Sequence, residues 1–422
     1  MLSAVAAAWA LLLGIGLMML GNGLQGTLLG IRALMEGFST PVTGLVMTGY
    51  YIGFLAGSVL APRIVERVGH IRVFAALAAI ASAAVLLHPL YIDPWFWGAM
   101  RLATGFSYAG LYVVAESWLN DRATNETRGK ILSVYMIVML SGLALGQLLL
   151  NFGDPGGFDL FILISVLVSL ALVPISLTAA SAPDFQAPTP VGLLELYRIS
   201  PLGVLGGLGV GISQGTVFGI GAVYARISGM STAETSLFMA LIVIGGIVLQ
   251  WPIGWLSDLF DRRRVIAVVT FIAAATAVAG ALLPLPLWGV MVVALIFGGV
   301  NLPMYSLCGA HINDHLAPAQ MVGASSGLVL VTGLGAVVGP GIASAAMAYT
   351  APAAFFWWLA AIHAAIGVFA IWRMTRRAPV PMAEQGAFVA MPPRASPMAA
   401  AMGPGGEYPE GASATPPNPA EG

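Results

Sequence analysis

The sequence predicts an all-α polytopic membrane protein, with twelve transmembrane helices arranged as two six-helix repeats. Three observations carry the prediction. The 422 residues are 59% hydrophobic and 8% charged, with a mean hydropathy of +0.91, whereas a soluble protein carries about 25% charged residues. Apolar stretches of about 20 residues, the length that crosses a bilayer core, recur along the chain. Residues of the first half also recur in order in the second, at a near-constant offset.

In chain order the spans fall at roughly 4–30, 41–61, 73–92, 94–118, 130–152, 158–179, 201–225, 235–257, 265–283, 286–309, 320–345 and 352–373. Span 1 opens in Met1 to Ala10, which is apolar and lacks Lys and Arg. A secretory signal needs a positive leading region, so this stretch is read as the start of a retained helix. Gly and Ala are frequent in the spans and let helix backbones approach closely in lipid. Gly142-x-x-x-Gly146 in span 5 and Gly335-x-x-x-Gly339 in span 11 are examples.

Lys and Arg set the orientation, because they concentrate in cytoplasmic loops. Arg63, Arg67 and Arg72 follow span 2, and Arg122, Arg128 and Lys130 follow span 4. Arg198 follows span 6, Arg262, Arg263 and Arg264 follow span 8, and Arg373, Arg376 and Arg377 follow span 12. The alternate loops offer only Arg32 and Arg226. Even-numbered spans are therefore expected to end in the cytoplasm, with both termini there.

The expected organisation is an N-terminal six-helix half at 1–180, a polar, Pro-containing cytoplasmic linker at 181–199, a C-terminal six-helix half at 200–375, and a tail at 376–422. The tail is Ala, Pro and Gly with few large apolar residues, a composition expected to stay disordered.

The repeat is visible residue by residue. Gln25-Gly26-Thr27 recurs as Gln214-Gly215-Thr216, and Gly37-Phe38-Ser39-Thr40 as Gly229-Met230-Ser231-Thr232. Tyr112, Asn120, Asp121, Ser133, Gly142 and Gly146 recur as Tyr305, Asn313, Asp314, Ser326, Gly335 and Gly339. Two parallel six-helix repeats place a binding site between them near the bilayer midplane.

Several classes are excluded or disfavoured. A net charge of −1 leaves no basic surface for nucleic acid. The single cysteine, Cys308, cannot form an internal disulfide. Gly206-Gly207-x-Gly209-x-Gly211 lies within a span with no preceding strand, so it is a packing site and not a phosphate cradle. His311 and His315 have a spacing that can bind metal, but only Asp314 stands near them in sequence. No metal or cofactor is expected. An intramembrane enzyme would need a nucleophile with a base, and only scattered serines and the lone cysteine are available.

The loop after span 8, Gly254-Trp-Leu-Ser-Asp258-Leu-Phe-Asp261-Arg262-Arg263-Arg264, resembles the signature G-x-x-x-D-x-x-G-R-K/R of the major facilitator superfamily, with Asp261 in place of the second glycine. The first-half copy, Pro62 to Arg72, is looser, with Glu66 as its acid and Gly69 as its second glycine. Arg101, Thr104 and Gly105 resemble a second superfamily motif, R-x-x-q-G. Val113-Val-Ala-Glu116-Ser-Trp118-Leu, Arg128-Gly129-Lys130 and Gly146-Gln147-Leu-Leu are similar to the YcaD-like group of bacterial members. The resemblance covers roughly residues 1–375. It implies the major facilitator fold, a bacterial inner membrane, and a central cavity lined by spans 1, 4, 7 and 10. The Gly-Pro pair that proton-driven drug antiporters carry in span 5 is Gly146-Gln147 here, while Gly339-Pro340 stands in span 11.

Candidate pathway residues are Asn22, Gln25, Arg101, Tyr108, Tyr112, Gln214, Asn301 and Tyr305. Arg101, Gly105, Tyr108, Tyr112 and Glu116 fall on one helical stripe roughly 80° wide. An intramembrane charge is costly and usually faces a protein or watery interior. Arg101 lies about 10 Å deep by helical rise and is the candidate for an anionic group or for tuning a proton carrier. Glu116, near the cytoplasmic end, is expected to join a gate by pairing with Arg67, Arg72 or Arg128, with proton carriage as the other reading. Glu66, Arg67, Arg72, Arg128, Asp258, Arg262 and Arg263 complete the gate loops. The expected activity is secondary active transport of a small organic solute by alternating access. Protons are the favoured coupling ion, the lipid bilayer and the solute are the partners, and a monomer is the working unit. The alternative is a solute sensor of transporter fold.

Overall fold

The computed structural model describes residues 2–124, 127–177, 191–317, 320–392, 396 and 398–399. Fourteen α-helices can be numbered in chain order among them. The N-terminal half holds α1 (Leu2–Met35), α2 (Thr40–Val68), α3 (His70–Leu87), α4 (Pro94–Arg122), α5 (Arg128–Leu148) and α6 (Asp159–Ser176). A short helix α7 (Leu193–Ile199) follows. The C-terminal half holds α8 (Pro201–Ile227), α9 (Thr232–Leu259), α10 (Arg262–Leu282), α11 (Leu287–Asn301), α12 (Met304–Asn313), α13 (Met321–Tyr349) and α14 (Ala354–Arg376).

Among the described residues, eleven stretches are long and apolar enough to cross a membrane, with α11 and α12 counting as one. The 29-residue α4 is as long as α2 but is not among them. It is the helix that buries Arg101 and Glu116. The expected span 10 is broken at Leu302-Pro303. Proline lacks the N–H that would continue the helical ladder. Residues 181–190 of the expected linker lie outside the described residues, and Leu193–Ile199 of it is helical.

The sequence repeat has a physical cause. Gly37 and Gly229 end the turns after α1 and α8 with φ of 78° and 90°, a region that residues with a Cβ rarely enter. In the second copy Ser231 and Glu234 form a reciprocal capping box at the start of α9. The signature loops differ for the same kind of reason. Gly69 has φ of 92°, so the α2–α3 turn requires glycine. Asp261 has φ of −49° and accepts a hydrogen bond from the Arg263 backbone N–H at 3.0 Å, capping α10.

Within the N-terminal half, α2 packs on α4 and α1 on α5; within the C-terminal half, α8 packs on α13 and α9 on α11. The halves meet through α2 with α13, α5 with α9, and α1 with α8. Gly44 faces Ser344 and the Pro340 carbonyl, and Gly30 faces Ala222 and Val223. Asn151 and the Gln147 carbonyl both engage the Ser236 hydroxyl, at 3.0 and 2.9 Å. These contacts lie toward the face opposite the arginine-rich loops, and they seal the halves together there.

Of the tail expected at 376–422, residues 393–395, 397 and 400–422 lie outside the described residues. Residues 377–392 pack on the arginine-rich face. The Arg377 carbonyl accepts from the Arg263 guanidinium at 2.7 Å, and the Gly386 carbonyl accepts from Arg262 at 2.8 Å. The tail is poor in apolar residues, and these anchors come from polar groups far away in the chain.

Candidate functional site

Two adjoining cavities lie between the halves and share Tyr50 and Tyr51 of α2. The smaller is bounded by Asn22 and Thr27 of α1, Arg101 of α4, Gln147 of α5 and Phe218 of α8. The larger is bounded by Phe54 of α2, Gln214 of α8, Tyr305 of α12 and Thr332 of α13.

Arg101 is 4% exposed, and its guanidinium lies 4.5 Å from the centre of the Tyr50 ring. A cation over a tyrosine face contributes about 0.5–2 kcal/mol, so α2 helps to hold the charge at the cavity. Asn22 donates to the Tyr112 hydroxyl at 3.0 Å, and the Tyr108 hydroxyl donates to the Met18 carbonyl at 3.3 Å. Tyr108 and Tyr112 therefore tie α4 to α1 and do not bound either cavity.

Thr27 hydrogen-bonds the Gln147 side chain, which fixes that amide at the cavity edge. The Nε2 groups of Gln25 and Gln214 and both amide atoms of Asn301 are buried and have no hydrogen-bond partner among the described residues. Gln214 is the one of these three that bounds a cavity. A buried amide donor left unpaired is costly, and a ligand acceptor beside Gln214 would relieve that cost.

The structure thus brings Asn22, Arg101, Gln214 and Tyr305 to the cavities and leaves Gln25, Tyr108, Tyr112 and Asn301 in helix packing. Tyr50, Tyr51, Phe54, Gln147 and Thr332, absent from the sequence-based set, stand beside the first group. Their one sequence signal is polar or aromatic character inside apolar spans: Tyr50-Tyr51-x-x-Phe54 in α2 and the Gln147 amide in α5.

The expected gate residues divide. Glu66, Arg67 and Arg72 are exposed. Glu116 is fully buried but pairs with none of Arg67, Arg72 and Arg128. It accepts from the Tyr135 hydroxyl at 2.5 Å and from the Ser396 backbone N–H at 2.8 Å, with the Ser396 hydroxyl as a further donor. The arginine pairing is corrected accordingly: α4 turns this carboxyl inward to α5 and the tail, while the exposed arginines of the first loop stay at the surface.

The second loop is an ion-pair network within the C-terminal half. Arg262 binds Asp314 at 2.5 Å and Asp258 at 3.4 Å, and it also donates to the Ala310 carbonyl at 3.1 Å. Arg263 binds Asp261 at 2.8 Å. Burial raises the Asp261 carboxyl, but hydrogen bonds from the Arg263 side chain and backbone outweigh it and hold the group below its ordinary range. At Asp314, burial outweighs Arg262 and leaves the carboxyl raised. His315 donates through Nδ1–H to the His311 backbone carbonyl at 2.9 Å, and burial lowers its basicity.

A family profile described as the Major Facilitator Superfamily matches residues 11–231 and 203–402. A protein of Escherichia fergusonii named as an uncharacterized MFS-type transporter YcaD is 27% identical over 332 residues, covering 78% of this chain and 86% of that protein. Its namesake in Escherichia coli O7:K1 is 29% identical over 333 residues, with the same coverage. Among solved structures, the nucleoside transporter NupG superposes with a TM-score of 0.71 at 13% identity, covering 88% of this chain and 98% of that one. A bacterial homologue of the human lysosomal transporter Spinster, inward-facing and unoccupied, gives a TM-score of 0.67 at 16% identity, covering 91% of this chain and 97% of that one. At these identities the two structures speak to the fold alone.

Proposed function

The chain belongs to the major facilitator superfamily, and on that premise we propose that it is a secondary active transporter of a small organic solute. The solute carries an anionic or strongly polar end and an apolar or aromatic body. The observation that carries this reading is the pair of cavities between the halves, where Arg101 and three amides face Tyr50, Tyr51, Phe54 and Tyr305. Arg101 supplies charge for the polar end, Asn22, Gln147 and Gln214 supply directional hydrogen bonds, and the aromatic rings take the body.

Alternating access fits the placement of the contacts. The α2–α13, α5–α9 and α1–α8 seams close one end of the cavities, which leaves the arginine-rich end as the route for solute once that end is clear. The units that rock are the halves 1–180 and 200–375, joined by the linker at 181–199. The positive loops support a cytoplasmic arginine-rich face, and we take a bacterial inner membrane as the host and a monomer as the working unit. Glu116 is the group through which we place proton coupling, because it is the carboxyl wholly buried in the same helix as Arg101.

The test begins with a ligand-induced thermal-shift screen on purified protein, weighted toward small carboxylates and their neutral analogues. Hits are then followed as flux into proteoliposomes with and without a pH gradient. Flux of a hit supports transport, and binding of a hit without flux refutes it in favour of a sensor.

A further inference from the structure

On the arginine-rich side of the molecule the chain's own C-terminal segment crosses from one half to the other. Residues 385–392, with Ser396, Met398 and Ala399, make successive contacts on the two halves. Phe388 packs on Gly254 of α9, and its N–H donates to Asp258 at 2.8 Å. The Met391 N–H donates to the Ser306 hydroxyl of α12 at 2.9 Å, and that hydroxyl lies 3.1 Å from the Met391 carbonyl. Ser396 then engages Glu116 of α4, in the other half, through its N–H and its hydroxyl. Met391, Met398 and Ala399 are all buried. Ser306 directly follows Tyr305, which bounds the larger cavity.

We propose that this segment is an internal plug: it occupies the vestibule between the halves, joins them through Asp258, Ser306 and Glu116, and withdraws before solute passes the arginine-rich face. The reading that solute passes there rests on the transport function above. Two features suit the segment to the role. Pro392, Pro393 and Pro397 restrict the free chain, which lowers the ordering cost of docking. Its partners are polar groups of both halves: the Asp258 carboxylate at the end of α9, the Ser306 hydroxyl of α12 and the Glu116 carboxyl of α4. With the plug in place, the carboxyl assigned to proton coupling is held by Ser396 as well as by Tyr135, so release of the plug removes the two hydrogen bonds from Ser396 and leaves the one from Tyr135.

The test reads access to the vestibule and needs no knowledge of the solute, so its failure is separable from failure of the transport reading. In the full chain carrying Cys308→Ser, Gly309→Cys places a thiol facing Met391, the direction in which a Cβ at Gly309 would lie 3.9 Å from the Met391 methyl. The protein is reconstituted in nanodiscs and labelled with a charged maleimide. The expected result is slow labelling in the full chain. Removal of residues 385–422 accelerates it, and so does the full-length pair Phe388→Pro with Met391→Pro, which deletes two anchoring N–H donors. The acceleration for the proline pair is on the order of tenfold or more, from the loss of two hydrogen bonds. Labelling of the full chain as fast as that of the truncated protein overturns the plug. An unchanged rate in the proline pair overturns it as well, and decides the matter alone if the truncated chain does not fold.

Discussion

Gly44→Ala is the substitution that bears most directly on alternating access. Gly44 lies in the first turns of α2, against α13 of the other half. A Cβ there would stand 2.0 Å from the Ser344 hydroxyl oxygen, 2.5 Å from the Ser344 Cβ and 2.9 Å from the Pro340 carbonyl oxygen. Rotation of the Ser344 side chain relieves the first contact only. The other two involve atoms fixed to the α13 backbone, so the helices must separate by roughly 1 Å to reach ordinary contact. Forcing one carbon into a packed seam costs about 1–3 kcal/mol. The cost falls on the closed seam between halves, because Gly44 opposes α13 while α2 keeps its packing on α4 within its own half. At about 1.4 kcal/mol per tenfold, the state open on the opposite face should gain roughly 5–150-fold relative to the closed one. The assay is labelling of Ser236→Cys in a Cys308→Ser background, with an impermeant maleimide applied from the face opposite the arginine-rich loops. Ser236 is fully buried between α5 and α9, so its labelling reports opening of the seam. A labelling rate unchanged within twofold in a folded Gly44→Ala protein refutes the assignment of this seam as the closed gate.

Three further outcomes follow from the same geometry. Arg101→Ala should weaken binding of an anionic hit roughly 10–150-fold, from a charge-assisted contact of about 1.5–3 kcal/mol, while the neutral analogue binds unchanged; equal losses for both ligands would remove Arg101 from the solute. Arg262→Ala strands the Asp314 carboxylate, whose side chain is 2% exposed, and should cost about 3–5 kcal/mol, read as a lowered thermal midpoint in detergent; replacing the pair by Arg262→Met with Asp314→Leu should recover most of that loss, and an unchanged midpoint in the single variant would refute the pairing. Glu116→Gln should leave downhill flux of an identified solute intact but abolish its dependence on a pH gradient, and a gradient response equal to that of the unmodified protein would place coupling elsewhere.

Much of the scaffold was legible because it depends on short stretches of chain. Whether about 20 residues partition into lipid is decided by their own transfer energy, so eleven spanning stretches appear where the hydropathy predicts them. The paired Gly37 and Gly229 turns, the repeat offset and the buried Arg101 are local in the same sense: a backbone angle, a duplicated segment, a charge out of place. Proline at 303 was local as well, and the break it makes between α11 and α12 was missed because the surrounding apolar run is continuous.

What only the tertiary structure decided is which side of each helix faces another part of the chain. Helical spacing puts Tyr108, Tyr112 and Arg101 on one stripe, but the packing of α1 against α4 uses up the two tyrosine hydroxyls and leaves Arg101 with Tyr50 at the cavity. Tyr50, Tyr51 and Gln147 join the site because α2 and α5 lie along the seams between the halves, a rotation that no periodicity within those helices specifies. Glu116 found Tyr135 and Ser396 in place of an arginine, the latter 280 residues away in sequence. The tail has neither a hydrophobic period nor the apolar content to order itself. Phe388, Met391 and Ser396 are held by Asp258, Ser306 and Glu116, groups that meet only after two six-helix halves have packed face to face.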